Sequence, residues 1–231
     1  MRLLSWGASP RKRFAGAKSW VSLARMRFLV LFVAALASAQ IVPPPGSSLL
    51  HADIGRDHGF TELVTNIAPG YAAGLQINDF SGGMGEPDVT STVAVFSHLV
   101  WRRNTPDSQA NFYLSAGLGV NKIEAAETEP GVSTAFQVDW ETRRLHAAFI
   151  GHLVFGEAIA QGEFKIHLGF APWVAPYEKV APWLLLEISR VVGREGDVEV
   201  APMLVLMYQA YRLEAGANTD GHPRVALRWL F

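Results

Sequence analysis

Two groups of ionisable residues in this chain have types suited to chemistry, and their spacing limits what that chemistry is. His51, Asp53, Asp57 and His58 fall in one short stretch. Imidazole and carboxylate donors so mixed suit a divalent cation, so these four are the candidate metal ligands. The second group is spread over the C-terminal half: Asp139, Glu141, His146, His152, Glu163, Lys165, His167, Glu187, Glu199, Arg212, Glu214, Arg224 and Arg228. Within it, His146, His152 and His167 with Glu163 have the types of a metal site or an acid/base pair. The spacing selects neither, because six residues along a strand separate His146 from His152 by about 20 Å, too far to share an ion. Ser115, Ser133 and Ser189 lack a Gly-x-Ser-x-Gly setting. Ser97 and His98 are adjacent and so face opposite sides of a strand, which rules them out as nucleophile and base. Arg102-Arg103 suits lipopolysaccharide phosphates or a solvated strand end. The chain has no cysteine, so thiolate ligands, disulfides and Cys nucleophiles are excluded, and no motif calls for a cofactor.

The elements carrying these residues show period two. Ala110, Phe112, Leu114, Ala116, Leu118 and Val120 alternate with Asn111, Tyr113, Ser115, Gly117 and Gly119; Phe164, Ile166, Leu168 and Phe170 alternate with Glu163, Lys165, His167 and Gly169. Turn signals at Asn104–Asp107, Glu129–Gly131, Gly193–Asp197 and Asn218–Gly221 break the runs. The pattern predicts strands near 70–79, 90–102, 109–121, 132–141, 144–155, 161–171, 182–191, 197–207, 209–217 and 223–231, with a weaker one over His58 to Asn66. The expected fold is all-β: an antiparallel transmembrane β-barrel of about ten strands, with eight and twelve as the even-numbered neighbours.

A soluble β-barrel alternates too, and the composition of the two faces separates the cases. The non-apolar face here is rich in Gly, Ser, Asn, Tyr and Gln with scattered charges, as a crowded lumen requires. Trp101, Trp140, Trp173, Trp183, Tyr208, Tyr211 and Trp229 stand near strand ends, where girdles at the two membrane interfaces are expected. Charged residues make up 18% of the chain, against roughly 25% in an average soluble domain. A net charge of −1 gives no basic face for nucleic acid.

Met26 to Gln40 has a short positive start, an apolar run and an Ala37-Ser38-Ala39 end, the form of a secretory signal peptide cleaved after Ala39. The expected organisation is a leader over 1–39 with an extended or misplaced start, a periplasmic lead-in over 40–58, and one barrel domain over 59–231. The last strand puts Val225, Leu227, Trp229 and Phe231 on one face and Arg224, Ala226 and Arg228 on the other. Trp229 and the terminal Phe231 look like the signal read by the bacterial barrel-assembly machinery, which with outer-membrane lipid and lipopolysaccharide makes up the expected partners.

The stretches Trp101-Arg102-Arg103-Asn104-Thr105-Pro106-Asp107-Ser108-Gln109-Ala110-Asn111-Phe112-Tyr113-Leu114 and Asp139-Trp140-Glu141-Thr142-Arg143-Arg144 resemble a family of uncharacterised proteobacterial outer-membrane proteins. The resemblance runs from about Phe60 to Phe231. It implies a barrel, sometimes encoded beside heavy-metal efflux genes, and supplies no catalytic motif. Family members often begin richer in His and Met than this chain, where only His51 and His58 stand, which weakens a metal role. The expected function is therefore a non-enzymatic outer-membrane barrel with a salt-bridged polar lumen, in a structural, passive-transport or metal-stress accessory role. One alternative is an outer-membrane enzyme acting on lipid or peptide at the rim. The other is a soluble periplasmic β-barrel binding protein.

Overall fold

A computed structural model describes residues 41–82, 87–193 and 198–231. The stretch 1–39, expected to be a leader, and the turn residues Arg194 to Asp197 lie outside the described residues.

Alternation along each strand and turns between them produce an antiparallel sheet that closes on itself. The twelve strands are β1 (Ser48–Ile54), β2 (His58–Ala68), β3 (Tyr71–Phe80), β4 (Val89–Asn104), β5 (Ser108–Ile123), β6 (Glu129–Thr142), β7 (Leu145–Phe155), β8 (Ala160–Phe170), β9 (Ala181–Val192), β10 (Glu199–Tyr208), β11 (Tyr211–Ala217) and β12 (Pro223–Leu230). Each pairs with its chain neighbour, and β1 pairs with β12 through Leu49↔Leu230 to Ile54↔Val225. Phe231 seals the start of that seam: its N–H donates to the Ser48 carbonyl (2.9 Å), and its own carbonyl accepts from the Ser48 N–H (2.6 Å).

The strand count corrects the expected ten to twelve. Ten strands lie within a few residues of the predicted positions, and the weak alternation from His58 is β2. The twelfth is β1, inside the stretch expected to be a lead-in, so the barrel begins at Ser48 instead of residue 59. Closure explains why β1 must exist: without it the free edges of β12 and β2 would both expose unpaired backbone groups.

The apolar face is outside. Leu114, Leu118, Val120, Val138, Phe149, Ile166, Leu168, Leu184 and Leu204 are exposed on the outer wall, while Asn111, Ser133, Asp139, Glu163 and Glu187 are buried inside. With an even strand number, both chain ends lie at one mouth, the terminus end. Connections there are short (69–70, 105–107, 143–144, 209–210) except for 171–180. In the connection Pro69-Gly70, Gly70 takes φ +81°, the left-handed value that the third position of a type II turn needs.

The aromatic residues require a second correction. Trp101, Trp140, Tyr208 and Trp229 close descending strands, Tyr211 opens an ascending one, and Trp173 lies in the 171–180 connection. All six are exposed and all belong to the terminus end, so there is one outward girdle instead of two. Trp183 faces inward and packs on the cluster of Leu185, Ala201, Met203 and Val205.

Candidate functional site: the barrel interior

A twelve-stranded barrel is wider than the eight-stranded kind that single side chains can fill. Here long polar side chains meet across the lumen. His58 Nδ1 of β2 is hydrogen-bonded to Glu163 Oε2 of β8 at 2.6 Å, although these strands stand on opposite walls of the ring. Lys165 of β8 donates to Asp53 of β1 and lies 3.0 Å from Glu163 Oε2. Arg224 of β12 reaches Glu187 Oε1 at 2.6 Å, Glu163 Oε1 at 3.4 Å and Glu199 Oε2 at 3.6 Å. His167 Nε2 is hydrogen-bonded to Glu187 Oε2 at 2.8 Å. These residues form one ionic layer in which every carboxylate has a cation or an imidazole beside it. Such pairing is what allows charge to remain in a space shielded from water.

Nearer the terminus end is a second polar group. Asn111 Nδ2 and Gln137 Nε2 each donate to Asp139 at 2.6 Å, and Arg102 donates to Asn111 Oδ1 (2.7 Å) and to the Tyr113 hydroxyl (3.0 Å). Arg212 Nε donates to Glu214 Oε1 at 2.8 Å. Arg102 thus turns inward instead of sitting at a solvated strand end; the bulge between Leu99 and Trp101 shifts the register that adjacent-residue alternation assumed.

Apolar residues close the lumen on either side of these groups. At the loop end, Phe80 of β3, Val89 of β4, Ile123 of β5 and Val154 of β7 are buried together, with Ile159 and with Val191 of β9 packed on them. Strands β3 and β9 are on opposite walls, so the cluster bridges the mouth. At the terminus end the stopper is a segment before β1. The Ser47 N–H donates to the Pro44 carbonyl at 3.1 Å and Gly46 takes φ +78°. This turn at Pro45-Gly46 sends the chain back into the barrel. Val42 and Pro43 are buried, and Val42 joins Leu49, Val64, Ala72, Val95 and Tyr113, with Ile41, Leu99 and Leu230 against them. Asn66 holds the segment at both ends, its Nδ2 donating to the Pro43 carbonyl (3.0 Å) and its N–H to the Ser47 carbonyl (3.0 Å).

Between the Ile41 tip and the ionic layer lies a cavity of about 70 Å³, room for a few waters. Glu62, Gln76, Ser115, His152 and Arg228 line it with Ile41. Gln76 and His152 bridge it from β3 to β7, with 2.6 Å between Gln76 Nε2 and His152 Nε2.

The thirteen ionisable residues of the second group, Asp139 to Arg228, are all on inward faces, but they do not all pair. His146 has no hydrogen-bond partner on either ring nitrogen among the described residues, and Arg228 Nε has none. Three of the four candidate metal ligands, His51, Asp53 and His58, are strand residues inside the barrel, with Asp53 on Lys165 and His58 on Glu163. Asp57 lies in the β1–β2 turn, 3.7 Å from Arg56 Nε. No group of three or more His, Asp or Glu among the described residues is arranged to hold a metal ion. Sequence reasoning missed Glu62, Gln76 and Asn78 as interior polar groups, whereas Tyr113 is buried on the polar face that the alternation over 110–120 gave it. Treating His58 to Asn66 as a full strand would have found Glu62, because the position shares the face of His58 and Phe60.

No family model matches the chain, and no curated protein does. Solved structures similar to it include the KdgM porin (9% identity, 80% of this chain and 98% of that one, TM-score 0.45) and LpxR from Salmonella typhimurium (8% identity, 80% and 100%, TM-score 0.45). A loop-deletion mutant of OmpT, an outer membrane protein of Vibrio cholerae, has 10% identity, 80% and 98% coverage and a TM-score of 0.29. Likeness at this level assigns no role. What belongs to this chain is its own geometry: a closed antiparallel barrel, greasy outside, ionic within and stoppered at both mouths.

Proposed function

We propose that this chain is an outer-membrane barrel that does not conduct, a structural element of the envelope whose lumen is solid. The observation that carries the reading is the set of cross-lumen bonds, His58 to Glu163 and Asp53 to Lys165, between the two apolar stoppers. An open pore would line its walls with solvated charges and leave the axis free. The outer wall of Leu, Val, Ile and Phe suits lipid, and short turns at the terminus end with longer loops opposite suit a barrel whose chain ends face the periplasm. The terminal strand, with Trp229 and Phe231 outward, suits handling by the barrel-assembly machinery.

Fractionation and planar-bilayer recording together test this. The expected outcome is heat-modifiable gel mobility in outer-membrane fractions and no unit conductance above baseline for the folded protein. Steady ion conductance, or recovery as a soluble periplasmic protein, would overturn it.

A further inference from the structure

The two ends of the barrel carry opposite charge. Among the described residues, the connections at the loop end hold Asp57, Asp88, Glu124, Glu127, Glu157 and Asp220 against Arg56 alone. Those at the terminus end hold Arg143, Arg144 and Lys179 against Asp107 and Glu178, and Arg103 is exposed on the outer wall beside them. The basic end is also the end that carries the aromatic girdle, so its arginines stand at the level of lipid headgroups.

The turn between β6 and β7 holds its two arginines in place. Thr142 Oγ1 accepts from the Arg144 N–H (3.1 Å) and from the Leu145 N–H (2.8 Å), which fixes the turn. Arg144 lies over the Phe170 ring, 5.2 Å from its centroid, and donates through Nε to the Ala171 carbonyl (3.2 Å) and through Nη2 to the Pro172 carbonyl (2.8 Å). Two of the five guanidinium N–H donors are used there, and the others are left for a ligand. Arg143 is exposed and makes no ion pair among the described residues. Next to the turn, one outward row runs in register across five strands: Arg103, Ala110, Trp140, Ala147 and Leu168. An alanine thus stands on each side of the exposed Trp140, and on β7 the wall is lower at Ala147 than at the exposed Leu145 and Phe149 that flank it. Strand spacing puts Arg103 about 10 Å from Trp140, on the far side of Ala110.

We propose that this corner of the terminus end is a binding site for one anionic glycerophospholipid, with its phosphate on Arg143 and Arg144, Arg103 flanking, and its chains lying over Ala147 and Ala110 beside Trp140. A ligand for this corner must be anionic at one end and long and apolar at the other, because the arginines continue directly into the lipid-facing wall. A free phosphate meets only the first condition, and an acidic protein would have to displace lipid from the second. Guanidinium groups suit a phosphodiester, to which they donate two parallel hydrogen bonds. Net negative charge on the headgroup matches the basic rim, whereas a choline headgroup would set its cation against it. The site rests on the outer-membrane reading of the previous subsection.

Native mass spectrometry of the folded protein, purified from outer membranes in detergent and mixed with equal amounts of dioleoyl phosphatidylglycerol and dioleoyl phosphatidylcholine, tests the inference. The expected result is a one-to-one adduct favouring phosphatidylglycerol at least fivefold, undisturbed by an equal concentration of glycerophosphate. The double variant Arg143→Gln with Arg144→Gln is expected to bring the ratio within twofold of even while gel mobility still reports a folded barrel. Should loss of the Arg144 bonds to the 171–180 connection prevent folding, Arg103→Gln with Arg143→Gln serves instead, since neither side chain has an ion-pair partner among the described residues; the preference is then expected to fall at least twofold. Arg56→Gln at the loop end removes the same kind of charge and is expected to leave the preference unchanged. Equal retention of the two lipids by the wild type, displacement by glycerophosphate, no response to the arginine pairs, or an equal loss in Arg56→Gln overturns the proposal. Lack of preference in a non-conducting outer-membrane barrel sinks this inference alone. A preference in a conducting barrel sinks the closed-lumen reading alone, and recovery as a soluble periplasmic protein sinks both.

Discussion

The two stoppers of this barrel do the same job with different materials. At the loop end Phe80, Val89, Ile123 and Val154 belong to four strands of the wall itself. At the terminus end Ile41, Val42 and Pro43 belong to a short segment held to the wall by the Asn66 bonds and by apolar contact. Moving the first means unfolding the sheet, because Phe80, Val89 and Val154 are each paired with both neighbouring strands and Ile123 is paired with Val89. Moving the second requires only rotation about the turn at Pro45-Gly46. The first is therefore part of the barrel's stability, and the second is a separable closure with its own, smaller free energy.

The largest effect that would test this contrast is at Phe80. Phe80→Ala removes a ring that is 1% exposed and stacks on His58 with centroids 4.7 Å apart. Loss of a buried Phe costs about 3–5 kcal/mol, and the expectation is a fall of that size in urea unfolding of the protein refolded into lipid vesicles. Val42→Ala removes two buried methyl groups, about 1.6 kcal/mol at most by transfer, and the segment can withdraw before that cost is realised. If the two substitutions cost the same, the terminus-end segment is as integral as the wall and the contrast fails.

How far this architecture was legible beforehand follows the same division. Strands with long outer stripes of Phe and Leu, such as β5 and β8, were readable because an apolar outer face over a polar interior requires strict alternation, as on residues 110–120 and 163–170. β1 was not, for two reasons. Its seven residues hold only Leu50, Ala52 and Ile54 on the outer face, and Leu49 breaks the alternation because it turns inward to meet Val42. The interior pairing was beyond the sequence altogether. Period two puts Lys165 and Glu163 on one face, but choosing Asp53 as a partner requires knowing that β1 exists and how the closed ring brings it opposite β8. The same dependence hid the single aromatic girdle: Trp101, Trp140 and Trp229 share an end only once the up-and-down order of the strands is fixed.

A second prediction reads the two ends by access. The chain has no cysteine, so a single introduced thiol is a clean reporter. Ser115→Cys lies beside the cavity at the terminus end, and Ser91→Cys is buried on β4 toward the loop end. In the intact barrel both thiols should resist a membrane-impermeant maleimide. Adding Val42→Asp puts a charge in the apolar cluster and drives the segment out; labelling at position 115 should then rise tenfold or more, with position 91 unchanged. Equal rises at both positions would mean that the wall, and not a plug, had been disturbed.

The smallest effect is at Asn66, and it separates the two kinds of bond that hold the segment. Asn66→Ala deletes the Nδ2 bond to the Pro43 carbonyl but leaves the Asn66 N–H bonded to the Ser47 carbonyl. One such hydrogen bond is worth roughly 0.5–1.5 kcal/mol net. If withdrawal of the segment is a local opening, the loss appears in the opening equilibrium, and labelling of Ser115→Cys should speed up by roughly 2- to 12-fold, the conversion of that range at 25 °C. The urea midpoint should barely move, because global unfolding starts from a state in which the segment has already left. A midpoint shift equal to the full cost, with no change in labelling, would show that the segment opens only when the whole barrel does, and the two stoppers would then be one cooperative unit.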